Sequence, residues 1–503
     1  MRRLANAVGK LNQSNRSYGV FVLCATTVIA LPAQTFTTLH SFDNTDGASP
    51  NAALVQGTDA NLYGTTLDGG AAGLGTVFKI SPSGALTTLH GFDGADGEYL
   101  FSGLVQATNG DFYGTTSDFV GPGHGTVFKI TPGGALTTLY SFCSQSACTD
   151  GEYPYAGLIE AASGDFYGTT SQGGAGSPAY GTIFRITPSG TLTTLYSFCS
   201  QSACADGEQP FAGLVQGTDG DFYGTTAAGG ANGYGTIFKI TRSGTLTTLY
   251  SFCSQSGCTD GKNPLAGLAQ ATNGDFYGTT QQGGANCVPD GCGTVFKITP
   301  GGMLTTLYSF CAQSGCTDGS IPYAGLIQAT NGDLYGTTAD GGANGNYGTI
   351  FKMTPGGALT TLYSFCSQSG CTDGAYPNGG LVQATNGDFY GTTTSGGANI
   401  AYGTVFALSV GLGPFVKTEP TSGEVGTAVK ILGTNLTGAS SVTFNGTPAA
   451  FLVSSRPKIT EITALVPVGA SSGTVQVVTP SGTLSSLGET RAAKCTPPCP
   501  LCG

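Results

Sequence analysis

Apolar residues along this chain come in short bursts, set between clusters of turn-forming residues. The stretch 212–252 reads as four strands. The first is 212–216 (Ala-Gly-Leu-Val-Gln), closed by Asp219-Gly220, and the second is 221–226 (Asp-Phe-Tyr-Gly-Thr-Thr), followed by a glycine-rich loop. The third is 235–240 (Gly-Thr-Ile-Phe-Lys-Ile), and the fourth is 246–252 (Leu-Thr-Thr-Leu-Tyr-Ser-Phe). Asn-Gly and Asp-Gly pairs at the first hairpin, such as Asn109-Gly110, supply the positive φ of a two-residue turn. Large apolar residues stand side by side, as in Phe222-Tyr223, instead of alternating with polar ones. Such strands belong to sheets covered on both faces.

This unit recurs seven times. Tyr-Gly-Thr-Thr begins at Tyr63, Tyr113, Tyr167, Tyr223, Tyr277, Tyr335 and Tyr390; Gly-Thr-(Val/Ile)-Phe begins at Gly75, Gly125, Gly181, Gly235, Gly293, Gly348 and Gly403. One four-stranded sheet per repeat of about 50 residues, stacked around an axis, predicts a seven-bladed β-propeller. The two ends complement each other. Residues 35–42 form a lone fourth strand with nothing before it, and the last repeat stops after its third strand at 403–409. The N-terminal strand is therefore predicted to close the last blade.

Composition adds three constraints. Only 9% of residues are charged and 83 are glycine, which fits short strands and tight turns. Arg2, Arg3, Lys10 and Arg16 precede a short apolar run ending near Leu31, so residues 1–33 read as a secretory signal peptide. Without that leader, 14 basic residues face 29 acidic ones, which disfavours nucleic acid and anionic lipid as partners. No later segment reads as a membrane span.

The pattern Pro-x-Ala-Gly-Leu-(Val/Ile)-Gln-Ala-x-x-Gly-Asp-Phe-Tyr-Gly-Thr-Thr, then Gly-Gly-Ala and Gly-Thr-Val-Phe-Lys-Ile-Thr-Pro-x-Gly, resembles the Gloeobacter/Verrucomicrobia tandem repeat of exported bacterial proteins. The resemblance implies export and surface display and no particular chemistry. After Pro414 the repeat stops, and Pro420-Thr-Ser-Gly, Val442-Thr-Phe-Asn-Gly and Gly473-Thr-Val-Gln-Val-Val resemble an IPT/TIG domain, which implies an immunoglobulin-like β-sandwich. The expected organisation is a leader (1–33), a propeller (34–410), an immunoglobulin-like domain (411–488) and a flexible cysteine-rich tail (489–503).

Five repeats carry Cys-x4-Cys after the fourth strand, at Cys143/Cys148, Cys199/Cys204, Cys253/Cys258, Cys311/Cys316 and Cys366/Cys371. The two repeats without them have a shorter loop there, so each pair is read as a disulfide pinning an insertion, with Cys287/Cys292 as a sixth. Staples set apart in different blades offer no four-ligand metal site. Cys495, Cys499 and Cys502 remain over, and no cofactor motif appears.

Candidate chemistry is sparse. An Asp-Gly pair recurs in the loop from fourth to first strand, at Asp46, Asp96, Asp150, Asp206, Asp260, Asp318 and Asp373. It reads either as a turn former or as a ring touching a cation or sugar. Beyond it lies a variable position: Asn51, Phe101, Tyr155, Phe211, Leu265, Tyr323 or Asn378. Its aromatic members either pack into the core or stack on a ligand. The expected binding residues are Asp150, Asp206, Asp260, Asp318, Asp373, Tyr155, Phe211 and Tyr323. His124 and Glu160 break the repeat, whereas His40 and His90 stand where Tyr140 stands in other repeats. The leading expectation is an exported, non-enzymatic scaffold that binds an extracellular glycan or protein. The alternative is a polysaccharide lyase or hydrolase built around His124 and Glu160.

Overall fold

The computed structural model describes residues 34–118, 123–176, 179–287, 289–399, 401–419, 422–453, 460–471 and 473–487, and the backbone of 491–493. Residues 1–33, expected from sequence to be a leader, and Cys495, Cys499 and Cys502 lie outside these residues. Seven four-stranded antiparallel sheets follow one another along the chain, one per repeat. In the fourth blade the strands are Val215–Gln216, Phe222–Thr226, Thr236–Ile240 and Leu246–Ser251. The first strand is shorter than the 212–216 expected because the Ala212 carbonyl turns away to the preceding blade, where Thr169 Oγ1 donates to it at 3.0 Å.

Each residue of Tyr-Gly-Thr-Thr has a separate task. The tyrosine of one blade stacks on the phenylalanine that opens the second strand of the next, as in Tyr223–Phe276 with ring centroids 4.1 Å apart. Side-by-side aromatics in the sequence thus face opposite neighbours. The glycine leaves room for two side chains: a Cβ at Gly224 would lie 2.6 Å from Phe238 Cζ and 2.9 Å from Leu214 Cδ2. The first threonine donates to a backbone carbonyl of the next blade in all seven blades, at 2.8–3.2 Å. The second hydrogen-bonds the threonine of Gly-Thr-(Val/Ile)-Phe in its own blade, at 2.8–2.9 Å.

The second cysteine of each repeat pair (Cys148, Cys204, Cys258, Cys316 and Cys371) ends a three-residue 3-10 turn. Returning the chain within so short a span demands a tight reversal. Cys204 N accordingly donates to Gln201 O at 3.0 Å, and Cys371 N to Gln368 O at 2.9 Å. These turns lie outside the sheets and leave the all-β architecture intact.

The ring closes as predicted. Thr35–Ser41 pairs antiparallel with Thr404–Ser409, from Thr35↔Ser409 to Ser41↔Thr404. Tyr390 of the last blade packs with Leu62 of the first, and Thr392 Oγ1 donates to Ala52 O at 3.1 Å. Phe36 stands where the other fourth strands begin with leucine, and its ring stacks on Tyr363 at 3.9 Å and lies 5.3 Å from Phe406.

Beyond the propeller, two four-stranded sheets enclose Val416, Val429, Ile431, Val442, Ile462 and Val477 in an immunoglobulin-like sandwich. Arg491–Ala493, assigned to the tail from sequence, pairs in parallel with Ser422–Glu424. The sandwich meets the propeller face that carries the short first hairpins. Phe415 N donates to Thr385 O at 3.0 Å, Lys417 Nζ to Gln56 O at 3.3 Å, and Thr460 Oγ1 to Thr58 O at 2.9 Å. These hairpins belong to the first and last blades, so the domain straddles the seam.

Truncating the seam aromatic tests this closure. Phe36→Ala should lower the stability of the oxidised protein by about 3 kcal/mol, near the low end for losing a packed phenylalanine. Urea unfolding followed by tyrosine fluorescence reads it, and an unchanged midpoint would show that the first and last blades hold without this strand's anchor.

Candidate functional site

On the face opposite the hairpins, loops from fourth to first strand and from second to third strand lie together, joined by bridges such as Glu152↔Gln172 and Glu208↔Ala228. One residue in each repeat is held in the left-handed region there: Ser49, Tyr99, Tyr153, Gln209, Asn263, Ile321 and Tyr376, all with φ of 53–58°. Two backbone hydrogen bonds fix each of them. Ile321 N donates to Cys292 O at 2.9 Å, and Ile321 O accepts from Ala339 N at 3.0 Å. In six repeats a proline follows, packed on the glycine of the preceding blade; a Cβ at Gly235 would meet Thr226 O at 2.3 Å and Pro264 Cδ at 2.7 Å. The residue after that is the variable position. Backbone strain repeated seven times therefore aims seven variable side chains the same way.

They converge. Asn51, Phe101, Tyr155, Phe211, Leu265, Tyr323 and Asn378 line one cavity of about 690 Å3 with Ser49, Leu67, Thr394 and Ser395. An aromatic arc runs along one side, with Phe101 to Tyr155 at 4.8 Å and Tyr155 to Phe211 at 5.2 Å. Tyr323 is 39% exposed, and its hydroxyl accepts from Gln281 Nε2 at 2.8 Å. The other side is polar and uncharged, and Asn378 Oδ1 is buried there without a hydrogen-bond partner. No carboxylate, histidine, lysine or arginine is among the described residues that line it.

The aspartates require a correction. Asp150, Asp206, Asp260, Asp318 and Asp373 are fully buried and do not face a ligand. Asp260 Oδ2 accepts from Tyr250 OH at 2.8 Å and from Ser254 N at 2.9 Å, and Oδ1 accepts from Gln255 N at 3.2 Å. A buried carboxylate needs such donors, and here they pin the disulfide loop. The two loops that lack the disulfide, leaving the fourth strands of the last and the first blade, use His40 against Asp46 at 2.6 Å and His90 against Asp96 at 2.5 Å. The aspartate's partner at the fourth strand therefore explains both histidines.

His124 and Glu160 do not meet. His124 Nδ1 lies 2.9 Å from Glu152 Oε2 on the looped face. Glu160 lies on the hairpin face, accepting from Thr108 N at 3.1 Å and Thr108 Oγ1 at 3.0 Å. There it does what glutamine does in other blades, as when Gln328 accepts from Thr272 N at 2.9 Å. Burial pushes the Glu160 carboxyl above the usual range, offset in part by Thr108 and Lys430. The alternative catalytic pair is thus divided between two faces.

The six described cysteine pairs are disulfides within their own loops: Cys143–Cys148, Cys199–Cys204, Cys253–Cys258, Cys287–Cys292, Cys311–Cys316 and Cys366–Cys371. The expectation that they all stand apart fails in the fifth blade. Cys287, Cys292, Cys311 and Cys316 place their four sulfurs within 4.8 Å of one another, and His124, Cys143, Cys148 and Glu152 gather in the same way in the second.

The profile of the Gloeobacter/Verrucomicrobia repeat matches residues 18–161, 145–317 and 288–447, and that of the IPT/TIG domain matches 415–491. This chain belongs to the Gloeobacter/Verrucomicrobia repeat family. No curated protein matches it by sequence. Among solved structures, the repeat protein is similar to a gluconolactonase from Xanthomonas campestris, with 12% identity, 75% of this chain and 90% of that chain covered, and a TM-score of 0.38. A putative 6-phosphogluconolactonase from Bacteroides uniformis gives 14%, 69%, 98% and 0.41. An α-L-arabinofuranosidase from Clostridium thermocellum gives 13%, 52%, 92% and 0.30. These likenesses carry no chemistry.

Two measurements probe the framework of the repeat protein. Ile321 is a β-branched residue in a left-handed conformation, where Asn263 serves in the preceding repeat. Ile321→Asn should raise stability by about 1 kcal/mol, and a loss would mean that its side-chain packing outweighs the strain. The tyrosines facing the buried aspartates respond to pH. Burial, opposed by Ser254 and reinforced by Asp260, pushes the Tyr250 phenol from 10.0 up to about 12, and Tyr308 and Tyr363 shift the same way. The fold favours the neutral phenol, so stability is level below pH 10 and falls as pH rises from 10 towards 12. Urea midpoints across that window should fall less steeply in a Tyr308→Phe, Tyr363→Phe variant.

Proposed function

We propose that this protein is an exported, non-enzymatic binding scaffold whose ligand is an uncharged stretch of glycan held in the cavity of the looped face. The observation that carries the reading is the lining of that cavity. Aromatic faces on one side suit the C–H face of a sugar ring, and Asn51, Asn378, Ser49, Thr394 and Ser395 on the other suit its hydroxyls. An uncharged lining favours a neutral ligand over an acidic one. Export is supported by the six disulfides, and no helix among the described residues is long and apolar enough to cross a membrane. Glycan hydrolysis needs paired acid and base groups, and His124 and Glu160 stand on opposite faces.

A glycan array probed with the secreted chain tests this reading, followed by titration calorimetry on the best neutral oligosaccharide. Tyr155→Ala and Tyr323→Ala should each weaken binding roughly fivefold, about 1 kcal/mol per lost stacking contact. Their melting temperatures should stay near that of the unsubstituted protein. Binding that survives both changes, or an array on which only acidic glycans register, would overturn the assignment.

A further inference from the structure

We propose that Cys287, Cys292, Cys311 and Cys316 form a redox-gated metal site, two disulfides when oxidised and a tetrathiolate site for one Zn2+ when reduced. In the chain the pairs read Cys-x4-Cys, 18 residues, Cys-x4-Cys, close to the paired-cysteine spacing of structural zinc sites. In space the four sulfurs already lie within 4.8 Å of one another. A tetrahedral Zn2+ with bonds of about 2.3 Å sets its sulfurs about 3.8 Å apart, so modest side-chain rotation about a nearly fixed backbone suffices.

That backbone is held without help from the sulfur bonds. Gly291 N donates to Cys287 O at 2.7 Å, Ile321 N to Cys292 O at 2.9 Å, Cys311 N to Gly319 O at 3.1 Å and Gly319 N to Cys316 O at 2.9 Å. The two loops are also tied to each other, with Asn286 Nδ2 donating to Phe310 O at 3.0 Å beside Cys311. Reduction therefore frees the thiols while the loops stay together.

The repeat itself marks the place as special. The residue before Gly-Thr-(Val/Ile)-Phe is Leu74, Tyr180, Tyr234, Tyr347 or Tyr402 in five blades. It is Cys292 in the fifth blade, and His124 in the second. A sulfur ligand thus replaces a rim side chain at the point where the neighbouring staple comes within reach.

The chemistry balances with a dithiol as reductant. Each disulfide takes two electrons and two protons from one dithiol, which leaves as a disulfide. Two dithiols thus yield four protein thiols. Binding Zn2+ then forms four Zn–S bonds and releases four protons to solvent.

The full chain tests the proposal after reduction by a water-soluble phosphine, which adds no competing thiol. Titration with Co2+ should give the intense visible absorption of tetrahedral thiolate-bound cobalt, saturating at one ion per chain and displaced by Zn2+. Cys287→Ser with Cys292→Ser should weaken Co2+ binding by more than about 100-fold, beyond the effect of an outer-shell change. Cys253→Ser with Cys258→Ser removes a staple whose sulfurs lie outside the four-sulfur cluster and should leave the spectrum unchanged. Circular dichroism of each reduced variant confirms that the blades persist. A spectrum that survives Cys287→Ser with Cys292→Ser, or that vanishes equally with Cys253→Ser and Cys258→Ser, or no cobalt bound by the folded reduced chain, sinks the four-sulfur site.

Discussion

A blade of this propeller cannot be stable alone, because both faces of its sheet are apolar and each must be covered by a neighbour. The contact that covers them is the same at every step. A tyrosine meets the large apolar residue opening the next blade's second strand, and a buried threonine hydroxyl donates to the next blade's backbone. Desolvating a hydroxyl is tolerable only if it is paired, so each threonine fixes the distance and rotation of the following blade. Seven copies of one fixed step return the chain to its start, where Thr392 finds Ala52 and Tyr390 finds Leu62. Closure is thus a property of the repeated contact, and the N-terminal strand supplies the part of the last sheet that the chain's direction leaves missing.

Features that repeat were legible in the sequence, because seven copies separate necessity from chance. Blade number, the closing strand and the staples could all be read this way. The aspartates were read as turn formers or ligand contacts because the pair Asp-Gly draws attention to the turn. Their partner lies ten residues earlier, at Tyr250 for Asp260, and that relation was available. His40 and His90 replace this tyrosine only in the two blades whose loop is short, so the substitution and the loop change together. Glu160 looked like a break in the repeat. It replaces glutamine in a hydrogen bond from the preceding blade's hairpin, which only the register of neighbouring blades reveals. The docking of the second domain had no signature in the sequence at all, since its contacts run largely through backbone carbonyls.

The same repetition explains why a binding cavity belongs on the looped face. Seven residues held at positive φ cost on the order of 1 kcal/mol each, and the framework carries them only because two backbone hydrogen bonds and, in most repeats, a proline leave no alternative. The strain gives direction. The next side chain but one points to the axis in every repeat, so its identity is free to vary without disturbing the blade. Phe101, Tyr155 and Phe211 fall on consecutive blades, which groups the aromatic surface into an arc and leaves the opposite arc polar.

The hairpin face is occupied differently, and the difference follows from where a ring of this kind is weakest. The chain bridges every step from blade to blade, and the ring is held shut only at the non-covalent junction of the N-terminal strand with the third strand of the last blade. Parting there costs no covalent bond and releases the long intervening segment, with its large gain in chain entropy. The immunoglobulin-like domain rests across this junction, bonded to Thr58 and Gln56 of the first blade and Thr385 of the last. Lys417 and Glu419, 3.6 Å apart, sit at the same contact. Burial lowers the lysine and raises the glutamate, so their pairing offsets a desolvation cost that separation of the domain would relieve. The ion pair is therefore a poor source of affinity. The hydrogen bonds to the two end blades carry the contact, and their placement joins the fate of the seam to that of the second domain.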